Sequence, residues 1–143
     1  MGERLRELDP KTSLRVERFL EDLTEHLRET MGEEEFDRLL SRVVRAEIDL
    51  DGLVEVVELE EKVRRRVAGL RREADRIRTE LKRSKSKIDS RAEELERELE
   101  RIEEELENVI RDFADRAVRR LSEVLGEVGE EDLREFVEGR INP

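Results

Sequence analysis

The feature that most constrains this chain is a change in the sign of its charge near the middle. Residues 62–87 hold twelve basic side chains against the three acids Glu73, Asp75 and Glu80, a net of +9, whereas residues 89–107 hold ten acids against three arginines, a net of −7. Both blocks carry apolar residues three and four apart, the spacing of amphipathic helices. Two such helices neutralise each other when they lie antiparallel, basic against acidic, so the expected arrangement is a coiled-coil hairpin reversing near residues 84–90.

The seam is expected to use Val63, Val67, Leu70, Ala74, Ile77 and Leu81 on the outgoing helix, and Ala92, Leu95, Leu99, Ile102, Leu106 and Val109 on the returning one. Reversal near 84–90 pairs them in layers whose residue numbers sum to 172 or 173, from Leu81 with Ala92 to Val63 with Val109, and on to Leu59 with Phe113. Ser84, Ser86 and Ser90 weaken the helix at the reversal, and Ser90 to Glu93 has the spacing of a capping box that starts a new helix. The alternative is one unbroken helix of about 70 residues, on the order of 105 Å long at 1.5 Å per residue, which would need an antiparallel partner. A parallel dimer ranks last because it sets like charges side by side.

Each end of the chain reads as a helical pair. Asp9 followed by Pro10 is a helix start, since the Asp side chain accepts from free amides and Pro suits the first helical position. An apolar stripe of Val16, Phe19, Leu20, Leu23, Leu27 and Met31 follows and ends at Gly32. Acids at 33–35 then open a short helix whose buried face is Phe36, Leu39, Leu40, Val43 and Val44. At the other end, Ala117, Leu121, Val124, Leu125 and Val128 carry the stripe to Gly129, and Leu133, Phe136, Val137 and Ile141 mark a last short helix. Asp51-Gly52 reads as a corner between helices or as a β-hairpin turn, the corner being favoured because the helical stripe resumes at Leu53 and Val56. The predicted fold class is all-α: a coiled-coil arm at 53–111 projecting from a small helical-bundle head built from 1–52 and 112–143, with all four phenylalanines sharing the head core.

Composition narrows the function classes. Half of the 143 residues are charged and 35% are hydrophobic, too polar for a large globular core and too regularly patterned for disorder. Arg outnumbers Lys twenty-five to five, and Cys, Gln, Trp and Tyr are absent, a thermophile-like balance. Without Cys there are no disulfides, thiolate nucleophiles or zinc–cysteine sites. No apolar leader or membrane span is legible, so a cytoplasmic protein is expected. A net charge of −11 disfavours nucleic acid as a partner of the whole surface.

Candidate sites are few. Residues 47–58 place oxygen-bearing side chains at Glu47, Asp49, Asp51 and Glu58 around Gly52, a spacing that resembles an EF-hand calcium loop. The segment departs from that family in its apolar Ile48 and Leu50 and in lacking a second loop, so an acidic turn is the expectation. Lys82, Arg83, Lys85 and Lys87 concentrate positive charge at the arm tip, where they suit a phosphate backbone. No aromatic lies between Phe36 and Phe113 to stack a base. The Arg/Glu-rich heptads of 53–109 give the arm a resemblance to the antiparallel coiled-coil arm of seryl-tRNA synthetases. That family's catalytic domain has no counterpart in this chain, and its function is not carried over. His26, alone between Leu23 and Leu27, reads as an edge-of-core residue.

No catalytic constellation, cofactor site or small-molecule pocket is expected. The reading is a non-enzymatic coiled-coil protein mediating protein–protein interaction or oligomeric scaffolding, with a protein partner or a second copy. The alternatives are backbone contacts to RNA or DNA through the tip, and a holdase-like chaperone.

Overall fold

The structure, a computed structural model, describes residues 9–45, 49–84, 90–126 and 128–141. These residues are all-α, with five helices and no strand among them: α1 (Pro10–Thr30), α2 (Glu33–Val44), α3 (Leu50–Ser84), α4 (Ser90–Leu125) and α5 (Glu130–Ile141).

α1 begins at the Asp9-Pro10 signal. Asp9 accepts from the Thr12 amide at 2.8 Å and from the Thr12 hydroxyl at 2.8 Å, and these bonds hold its carboxyl below the usual aspartate range. The helix ends at Thr30, and Gly32 turns out to be the residue capping α2, at an ordinary φ of −66°. The left-handed glycine that stops a helix lies elsewhere, at Gly126, where φ is 78° and the amide donates to the Ser122 carbonyl at 2.9 Å. α4 therefore stops at Leu125, four residues before Gly129, to which the apolar spacing through Val128 carries the stripe.

The start of α3 is a second correction. Asp51-Gly52 is neither a corner nor a β-turn, because both residues lie in the first turn of a helix that begins at Leu50. Asp49 starts that turn: its Oδ1 accepts from the Gly52 amide at 3.2 Å, and its carbonyl from the Leu53 amide at 3.3 Å. Glycine is needed at 52 because α4 passes close by. A Cβ there would lie 2.6 Å from Val124 Cγ2 and 3.2 Å from Arg120 Cζ.

α3 and α4 run antiparallel, as their ion pairs show. Arg120 bonds Asp49 and Glu55, Arg66 bonds Glu105, and Arg91 bonds Glu80, so numbers rise along one helix as they fall along the other. Arg78 bonds Glu103 across the same pair. Two apolar cores fill the space between the helices. The larger draws residues from all five helices and contains Phe19, Phe36, Phe113 and Phe136. The smaller joins Leu70, Ala74, Ile77 and Leu81 of α3 to Leu95 and Ile102 of α4. Each such aliphatic side chain taken from water contributes about 1.5–3 kcal/mol, which offsets the entropy of ordering two long polar helices.

The short helices are held by arginines at helix ends. Arg42 of α2 donates to the Leu125 carbonyl, the last of α4, at 2.5 Å, while Arg64 and Arg71 of α3 donate to the Arg140 and Ile141 carbonyls of α5 at 3.2 and 3.5 Å. Cations at these positions satisfy free carbonyls and suit the negative end of each helix.

Candidate interaction surface

The seam residues divide between the two cores. Leu70, Ala74, Ile77, Leu81, Leu95 and Ile102 are buried in the smaller one, and Ala92, Leu99, Leu106 and Val109 pack against it half-buried. Val67 is buried in the larger core, and Val63 lies half-buried at its edge. Leu106 and Val109 touch both, so apolar packing runs without a break from the five-helix region into the two-helix stretch.

One flank of α3 is covered by α1 and α5, and charge does much of the joining. Glu60 is the buried charged residue of the described core, at 5% exposure. Its Oε2 accepts from Arg140 Nε at 2.7 Å, and its Oε1 pairs with Arg64 at 3.1 Å. Arg140 also bonds Asp22 at 2.7 Å and stands over the rings of Phe19 and Phe136, 5.0 and 5.3 Å from their centroids. Desolvation works against the Arg140 charge, but the hydrogen bonds it donates to Glu60 and Asp22 outweigh it and hold the guanidinium above the ordinary arginine range. Arg15 pairs with Glu61 beside this cluster. Sequence reading missed the network, although a signal was present: Glu60 falls on the stripe of Leu53, Val56, Val57 and Val67, where a lone carboxylate requires a buried cation.

On the opposite flank a groove is lined by residues of α3 and α4 alone. Arg66, on this side, lines this groove with Lys62, Arg116 and Asp112 over Leu59, Val63 and Val109. Lys62, Arg116 and Arg119 are exposed and make no ion pair with a described residue. The outward surfaces repeat the sequence's polarity. Arg72, Arg76 and Lys82 on α3, and Glu96, Glu100, Glu104 and Glu107 on α4, are exposed and unpaired among the described residues.

The other candidate residues fall as follows. Lys82 and Arg83 are exposed near the end of α3, while Lys85 and Lys87 lie outside the described residues. In the calcium-loop segment, residues 50–58 are helical, which prevents the loop from wrapping an ion. Asp49 is already engaged through both oxygens, by the Gly52 amide and by Arg120 at 3.2 Å; Glu47 lies outside the described residues. His26 is half-buried, with its Nε2 3.1 Å from the Asp132 carbonyl and its ring 5.5 Å from that of Phe136, so it ties α1 to the start of α5.

What this geometry provides is a narrow two-helix surface with a split charge and an amphipathic groove, and no described helix is long and apolar enough to cross a membrane. The chain matches no protein-family model, no curated protein and no solved structure.

Proposed function

We propose that the chain is a non-enzymatic coiled-coil protein that acts by protein–protein contact, as an interaction module or an oligomeric scaffold. In this reading residues 53–111 are an arm, and residues 1–52 and 112–143 are the head that anchors it. The observation that carries the proposal is the stretch beyond Leu70, where α3 and α4 bury one line of aliphatic residues between them and leave Leu99 and Leu106 half-exposed between rows of unpaired charge. A surface of this kind is poor at holding a small molecule and well suited to a long partner helix. Helices of 35 and 36 residues give it length.

Phosphate contact through Lys82, Arg83, Lys85 and Lys87 is the weaker reading, because α4 runs beside the basic helix with a row of exposed glutamates that repel a polyanion. A holdase role is weaker still: Leu14 is the one large hydrophobic residue exposed among the described residues, which leaves little apolar surface for a client. The interaction reading is tested by replacing Leu70 and Ile102 together with Asp. Helical content and melting temperature are expected to fall, and association measured by light scattering to be lost. Unchanged helicity and melting temperature would contradict it.

A further inference from the structure

We infer that the partner of the open α3–α4 face is a second copy of this chain, laid antiparallel on the first about a twofold axis. The inference rests on the interaction role proposed above and names its partner. Its starting point is a series of facing positions along that face. Arg66 bonds Glu105 at 2.5 Å and Arg91 bonds Glu80 at 3.4 Å, and in both pairs the residue numbers sum to 171. The layer midway between them in the same series is Glu73 opposite Glu98. Both are half-buried, and neither has an ion-pair partner among the described residues. Where the flanking layers close with a cation and an anion, this layer of the series holds two carboxylates, and like charges at facing positions cost stability in the lone chain.

The same face changes sign toward the five-helix end. Arg66 belongs both to this series and to the groove floored by Leu59, Val63 and Val109, around which Lys62 and Arg116 stand unpaired and outnumber the one acid of its lining, Asp112. Arg64 and Arg71, which reach α5, lie about 200° and 140° round the helix from Arg66 at 100° per residue, so α5 leaves this face open. One face is therefore net basic on the groove side of the Arg66–Glu105 layer, where Lys62 and Arg116 outweigh Asp112, and holds the Glu73 and Glu98 carboxylates on the other side. A twofold axis crossing the arm near that layer lays Lys62 and Arg116 of one copy on the Glu73 and Glu98 of the other, twice over. Isologous pairing needs groups that complement each other under such a rotation, and here two cations per copy meet two carboxylates, with Asp112 the like charge they must outweigh. It also covers the half-exposed Val63, Leu106 and Val109 of both copies.

The test is the mass of the full chain by light scattering over a concentration series, with helicity checked by circular dichroism. The unmodified chain is expected to be a dimer whose dissociation constant rises with salt. Lys62→Glu with Arg116→Glu, or Glu73→Lys with Glu98→Lys, is expected to raise that constant at least tenfold, and combining all four is expected to restore the dimer. If a charge reversal lowers helicity, the milder Lys62→Gln with Arg116→Gln gives the same readout with a smaller rise. A monomer at every concentration and salt, or a dimer indifferent to the reversals, overturns the second copy as partner. The coiled-coil reading is judged separately, by the helicity of the Leu70 and Ile102 variant.

Discussion

Two glycines in α3 have opposite physical standing although the sequence presents them alike. Gly52 faces Val124 and Arg120 so closely that an added methyl group must displace buried atoms, whereas Gly69 has nothing within 4 Å of the place its Cβ would take. Gly69→Ala should therefore gain close to the full helix-propensity difference, about 1 kcal/mol of stability. Gly52→Ala should lose about 1 kcal/mol net, since overpacking of about 1–3 kcal/mol exceeds the same gain. Thermal melts of the two variants decide the point, and stabilisation by both would mean that α4 does not approach Gly52. Nothing in the sequence separates these glycines, because the difference lies in which residue of a distant helix passes by. The Asp9-Pro10 start was legible because its partners are three residues away; Gly126 was not, since the apolar residue at Val128 kept the helical spacing going past the true end.

At the level of elements, five helices and their buried faces could be read from periodicity, because a stripe records burial whatever the partner is. How α1, α3 and α5 are bound together could not, for that depends on the Arg140 cluster. Glu60 supplies the buried carboxylate, Arg140 answers it from the last turn of α5, and Asp22 and the rings of Phe19 and Phe136 hold the guanidinium from the α1 and α5 sides. Arg140→Ala leaves buried Glu60 with only the half-exposed Arg64 and should cost about 3 kcal/mol, while replacing Glu60 and Arg140 together by Leu and Met should recover most of that loss. The pH dependence follows from the sign of the shift. Arg140 has its folded pKa raised, so its contribution is fully present below the ordinary arginine range and is lost only as pH rises through the raised value. Denaturant melts should thus give the same Arg140→Ala penalty at pH 6 and pH 9. A penalty that shrinks between them would show that the cluster does not work through this charge.

For the whole molecule, the reversal of charge between residues 62–87 and 89–107 is the term that selects topology. It favours α3 beside α4 in antiparallel order, and the pairs Arg66–Glu105 and Arg91–Glu80 are bonds of that order. Sequence periodicity marked the apolar stripes of both long helices but left open whether they fold back within one chain, because any two heptad stripes can be slid into register. The most direct measurement uses the absence of native cysteine. Spin labels on cysteines introduced at Ala68 and Asn108, both exposed, are measured in labelled chains diluted with unlabelled ones, so that only distances within a molecule are read. Helices packed side by side, about 8–10 Å apart, put the labels on the order of 20 Å from each other. One continuous helix would separate them by about 60 Å, and that longer distance would contradict the account.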